Sequence, residues 1–319
     1  MSWNSAHGAA MIAAAQAHEA LACGVDDHVD VFGALHRAGV EVMGQKLGSL
    51  LGLYVDSSQG GMPGCLVNTG LEEVGMRHTV AHELGHHRMG HGTSIDHQEQ
   101  ASGRWGEGWP QHEREAEAFA SWFLMPRPAA RTALARCGLQ HPESPLDAYR
   151  MARWLGTPYA TTVRHLVRLK MIDRSTKALW LKHSPGSLKA ELAGSLPLGP
   201  QAHVHVLAPA AHDATVHVTS GDCLLLAVPG GRFDRLPAGV TATPPDTDGQ
   251  MSFLDTTTAD HTRAAWVSEE LAADATVIAD TGGSELFRVV LRPAPSREGS
   301  DHFWACRPAP PHGEHHPPI

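Results

Sequence analysis

The chain has 319 residues, 42% of them hydrophobic and 18% charged, with a formal net charge of −9 when histidine is neutral. Such a composition fits two or three folded domains and excludes a disordered or fibrous chain. The acidic balance disfavours bulk nucleic-acid binding, and five scattered cysteines without a C-x-x-C pair exclude a disulfide framework and point to a reducing, cytoplasmic setting.

Helix signals open the chain over 8–22 and 28–38. The first is Ala-rich, but it lacks a basic leader and is interrupted by Gln16, His18 and Glu19, so it reads as an amphipathic helix rather than a signal peptide. No membrane span is expected. Strands follow over 39–42, 50–55 and 65–68, the last two joined by a turn at 57–61.

The most informative segment comes next: His82-Glu83-Leu84-Gly85-His86, an H-E-x-x-H motif. Positions four apart share one helix face, so both imidazoles can address one ion, with Glu83 one residue round the turn. Two nitrogen ligands and an adjacent carboxylate are the kit for metal-assisted peptide hydrolysis. Val80, Leu84, Ala81 and Gly85 give the helix an apolar backing, and Gly90 and Gly92 stop it. The competing reading is a His-rich surface helix without metal, since the chain holds 23 histidines.

A catalytic zinc takes three protein ligands and keeps one open position, so a third ligand must come from elsewhere. Residues 92–110, rich in Gly, Ser, His and Gln, read as a loop, either a lid or a plain connection. After it, 110–126 runs as a helix between Pro110 and Pro126, with an apolar stripe of Ala116, Phe119, Ala120, Phe123 and Leu124. Glu113 and Glu117 lie four apart on it. One can bind metal while the other accepts the free N–H of a ligating histidine. His112 and Glu115 point elsewhere on the wheel, toward solvent. An ordinary acidic first turn explains the pair as well.

Residues 141–182 suggest a helix-turn-helix-like pair: one helix to Leu155, a turn at Gly156, then Thr157 and Pro158 opening a second. Arg150, Arg153, Arg164, Arg168 and Lys170 stand against Asp147 there. This region either reads DNA or, as the acidic chain favours, completes the core and docks a protein substrate. Pro and Gly over 183–200 suggest a linker. Strands over 204–207, 215–218, 223–228, 275–278 and 286–291, with loop-rich sequence over 230–260, make 201–306 a β-rich accessory or sensor domain. The Pro/His-rich tail, 307–319, is expected to be disordered.

The run Arg77–His86 and the second segment, Glu113 to Pro126 with its Leu-Met-Pro ending, together resemble the ImmA/IrrE metallopeptidase family, as does the strand over 64–68. The resemblance spans about residues 5–175. It implies an α+β, zincin-like metallopeptidase domain over 1–140, with His82, His86 and Glu113 as ligands of one Zn²⁺ (Mn²⁺ as the alternative) and Glu83 as general base. Glu117 would support a ligating histidine, or compete with Glu113, since the family usually has Asn or Asp there. His78 replaces a usual aromatic residue. His78, Tyr54, His87 and His91 are the candidates to line the site or stabilise an oxyanion. The family implies a site-specific intracellular protease that cleaves a helix-turn-helix repressor and releases stress-response or mobile-element genes. The alternative is a non-enzymatic metal-binding transcriptional regulator that binds DNA; a secreted broad-specificity protease ranks last.

Overall fold

The computed structural model describes residues 3–58, 60–97, 109–242, 263–282 and 286–294. Among them it is a mixed α+β fold of nine α-helices and three mixed four-stranded sheets. The first half opens with α1 (Trp3–Ala20) and α2 (Val31–Arg37), then β1 (Glu41–Gln45), β2 (Leu50–Val55) and β3 (Gly64–Asn68). Next come the motif helix α3 (Glu73–Met89), a short strand β4 (Ser94–His97) and α4 (Gln111–Leu124). The sheet order is β1-β3-β2-β4, with β1 parallel to β3 and the other pairs antiparallel.

Helix α3 is enclosed through its middle: Val80, Ala81, Leu84 and Gly85 are buried beside His82, Glu83 and His86. It packs on α4, which in turn packs on α1. The contacts are close because the crossing residues are small. A Cβ on Gly85 would come within 3.1 Å of the Ala116 backbone, and Ala6, Ala10, Ala14 and Ala17 form the buried face of α1. Buried Arg77 ties α3 to its surroundings, donating from Nη2 to the Val29 carbonyl at 2.7 Å and from Nε to the Gly156 carbonyl at 3.0 Å. Gly156 has φ +62°, and a Cβ there would meet His28 at 2.5 Å and Arg77 at 2.7 Å.

The chain continues through α5 (Arg127–Arg136), α6 (Pro145–Leu155), α7 (Tyr159–Arg168) and α8 (Arg174–Trp180). Ser144 and Asp147 form a capping box on α6, and Gly156 closes it in the left-handed region. The stretch expected as a linker instead holds α9 (Pro185–Ala193), capped by Ser184 with Pro185 in its first turn, and α9 packs on α6. Pro185 and Gly186 read as breakers, yet proline suits a first helical turn.

Two further sheets follow. β5 (Val204–Leu207), β7 (Cys223–Leu226), β10 (Ala264–Val267) and β9 (Val240–Thr241) lie in the order β5-β7-β10-β9. β6 (Thr215–Val218), β12 (Phe287–Pro293), β11 (Ala275–Asp280) and β8 (Arg232–Arg235) lie in the order β6-β12-β11-β8. β8 and β9 fall within the stretch expected as loop. This module meets the first half directly, the rings of His28 and His217 stacking with centroids 3.6 Å apart. The expected tail and most of the expected lid lie outside the described residues. No described helix is long and apolar enough to cross a membrane.

Candidate metal centre

Helical spacing sets His82 and His86 one turn apart on the same face of α3, and the tight α3–α4 crossing at Gly85 and Ala116 brings Glu113 of α4 to meet them. Nε2 of His82 lies 3.0 Å from Nε2 of His86 and 3.2 Å from Oε2 of Glu113, and His86 Nε2 lies 3.7 Å from the same oxygen. Zinc bonds of about 2.0–2.1 Å at tetrahedral angles separate neighbouring ligand atoms by ~3.3 Å. The three atoms therefore fit a single tetrahedral cation with one corner free. All three residues are buried.

The opposite ring nitrogens are held from behind. His82 Nδ1 lies 3.5 Å from Glu117 Oε2. His86 Nδ1 lies 3.1 Å from His91 Nδ1, and His91 Nε2 lies 3.2 Å from Glu115 Oε2. His91 reaches this position because Gly90 ends α3 with φ 69°, so that the His91 amide returns to the His86 carbonyl at 2.9 Å. Such outer partners fix the tautomer and orientation of a ligating imidazole. Glu113 is itself held: Ser94 Oγ donates to its Oε1 at 2.5 Å, and His112 Nε2 lies 3.2 Å from that oxygen.

The electrostatics suit a cation. Burial would push Glu113 up, but hydrogen bonds from His82, His86 and Ser94 and the charge of His82 hold it well below the usual carboxylate range. Burial likewise opposes Glu117, and His78 and His82 outweigh it, so Glu117 also stays low. Burial pushes His86 down to about 4, partly opposed by Glu113, which leaves it a neutral imidazole of the kind a metal binds.

Glu83 is fully buried beside β2. A Cβ on Gly52 would fall 2.5 Å from both Glu83 Oε1 and Thr79 Cγ2, so glycine at that strand position leaves the space the carboxylate occupies.

The remaining candidates separate. His78 turns its Nε2 to Glu117, at 2.9 and 3.0 Å, on the Nδ1 side of His82 and away from the three-donor apex. Glu117, engaged by His78 and His82 Nδ1, sits behind the apex instead of competing with Glu113. Tyr54 Oη and His87 Nδ1 form a 2.9 Å hydrogen bond, with the Tyr54 ring nearly parallel to that of His86 at 6.3 Å. His91 supports His86 from the rear. Sequence reasoning missed Ser94, Glu115 and His112. Ser94 lies on a strand read as loop, and the other two were assigned to solvent.

Residues 36–140 match the model of peptidase family M78, the IrrE N-terminal-like domain. No curated protein matches the chain.

Proposed function

We propose that this chain, whose residues 36–140 belong to the ImmA/IrrE-type metallopeptidase family, is a zinc-dependent endopeptidase that makes a specific cut in a helix-turn-helix transcriptional repressor inside the cell. The observation that carries the reading is the three-donor apex, His82 Nε2, His86 Nε2 and Glu113 Oε2, with buried Glu83 beside it. One oxygen and two imidazole donors suit Zn²⁺, with Mn²⁺ as the alternative.

A cation held by these residues would supply Lewis-acid polarisation of the scissile carbonyl and a water more acidic than bulk. Glu83 takes the proton from the attacking water and returns it to the leaving amine. Glu117 and His91 keep the two imidazoles aimed, and Ser94 keeps the Glu113 carboxylate aimed. The Tyr54–His87 pair, with the Tyr54 ring 6.3 Å from that of His86, is a donor group for a developing oxyanion. The rival DNA-binding reading needs an exposed recognition helix, yet α7 buries Tyr159, Thr161, Thr162, Val163, His165 and Leu166.

The test mixes zinc-loaded protein with small helix-turn-helix proteins from neighbouring reading frames and follows fragments by mass spectrometry. One cut by the native chain and none by Glu83→Gln at equal metal content is expected. Cleavage retained by Glu83→Gln would end the proposal.

A further inference from the structure

Along α4, one turn on from Glu113, lies a cavity of about 670 Å³ walled by α1, α4, α7 and α8. Five cationic side chains line it: Arg164, Arg168, Lys170, Arg174 and Lys177. In a chain of net charge −9 this concentration runs against the average. Glu117 is the one carboxylate among the described lining residues, and it is already engaged by His78 and His82. Among the described lining residues five cations thus stand against one carboxylate, whose charge acts on Arg164. Burial and the like charge of Arg174 push Arg168 down, the direction expected of guanidiniums crowded together in a partly dry space. Arg168 is nonetheless fixed, donating from Nη1 to Asn4 Oδ1 at 2.9 Å.

Gathering like charges in a concavity costs free energy that a bound anion recovers. Three guanidinium forks match phosphate geometry better than point charges do. Trp3 adds an aromatic face to the wall, within 5.8 Å of His7 and 6.3 Å of Trp109 between ring centroids. The volume falls in the range of about 300–1,000 Å³ typical of small-molecule sites. A duplex groove-reader would carry these cations on a projecting helix, whereas here they line a hollow.

We infer that this cavity is a binding site for a small, multiply phosphorylated molecule bearing an aromatic ring, of the nucleotide class: the arginines and lysines take the phosphates and Trp3 takes the ring. The cavity contains none of the three donors and shares only Glu117 with their support, and its occupancy can be measured whether or not the chain cleaves anything.

The experiment is calorimetric titration of the full-length, metal-loaded chain at low salt with three probes: adenosine 3′,5′-bisphosphate, inorganic phosphate and hexaglutamate. The bisphosphate is expected to bind one per chain and more tightly than the other two, with metal content unchanged. Arg174→Ala/Lys177→Ala alters solvent-facing side chains and leaves the fold intact; it should weaken the bisphosphate by about tenfold or more, the loss expected for charge-assisted contacts. Trp3→Ala should weaken the bisphosphate and spare inorganic phosphate. Arg88→Ala, outside the cavity, is the control and should change nothing. No binding of the bisphosphate, or full affinity in the Arg174/Lys177 variant, overturns the assignment. Tighter binding of hexaglutamate at the same residues also overturns it, in favour of an acidic protein segment. Equal weakening of both phosphate probes by Trp3→Ala overturns the ring assignment.

Discussion

Two regions of this chain bury histidine beside acid, and they use the pair in opposite ways. In the β module, His205 Nε2 lies 3.1 Å from Asp222 Oδ2, and Asp222 also accepts from the amides of His203, at 2.8 Å, and Thr219, at 2.9 Å. Every bond there closes on a neighbour in a turn or an adjacent strand. In the first half, the Nε2 atoms of His82 and His86 and an oxygen of Glu113 converge on one point, and the bonds that close locally lie behind them. A buried His–acid pair is thus an ordinary way of satisfying polar groups. Convergence of several donors, each backed from the rear, is what marks a site for a ligand.

The sharpest way to break this contrast is substitution at the convergent end. Glu113→Ala should remove most bound zinc, read by atomic absorption after dialysis, with cleavage falling by about 10²-fold or more. Gly52→Ala should follow closely. Its Cβ meets the Glu83 carboxylate and Thr79, and overpacking of this kind costs about 1–3 kcal/mol, which a denaturant melt would register along with loss of cleavage. His91→Ala leaves the three donors in place and should weaken metal affinity by about 10–100-fold, measured by competition with a chelating dye.

The closed pair should answer differently. Asp222→Ala strands two amides and an imidazole and should cost about 1–3 kcal/mol of stability while metal affinity stays unchanged. Smallest is a pH effect. Burial opposes the Asp222 charge, but the hydrogen bond and charge of His205 outweigh it, so its folded pKa sits below the ordinary value. Its contribution is then present above an unfolded pKa of about 3.9 and is lost as pH falls through the lower folded value. Asp222→Asn should flatten that acid limb of the stability curve. A steep limb retained in the variant would assign it to other carboxylates.

The site was legible in part, and the boundary has a physical cause. Helical spacing alone puts His82 and His86 on one face, and Pro110 and Pro126 bracket the helix that carries Glu113. Glu117 was legible as a support from its spacing to Glu113, but the rear supports of His86 were not, because they depend on the third dimension. His91 reaches His86 only through the left-handed turn at Gly90, and Glu115 is directed by the crossing of α4 over α3. β4 was missed because Ser-Ile-Asp-His carries no clean alternation, although its pairing with β2 brings Ser94 to Glu113. In the second half, the long apolar strands were visible, while Arg232–Arg235 and the two-residue strand Val240–Thr241 are too polar or too short to announce themselves.

Gly52 has one further consequence. Strand 50–55 lies flush against the motif helix at the one residue lacking a side chain, and its neighbours Leu51 and Leu53 have nowhere to go at that spot. Sliding the strand by a single residue would drive a leucine into Glu83. The sheet is therefore keyed to the helix like a notch to a pin, and the strand can sit at only one height above the Glu83 carboxylate.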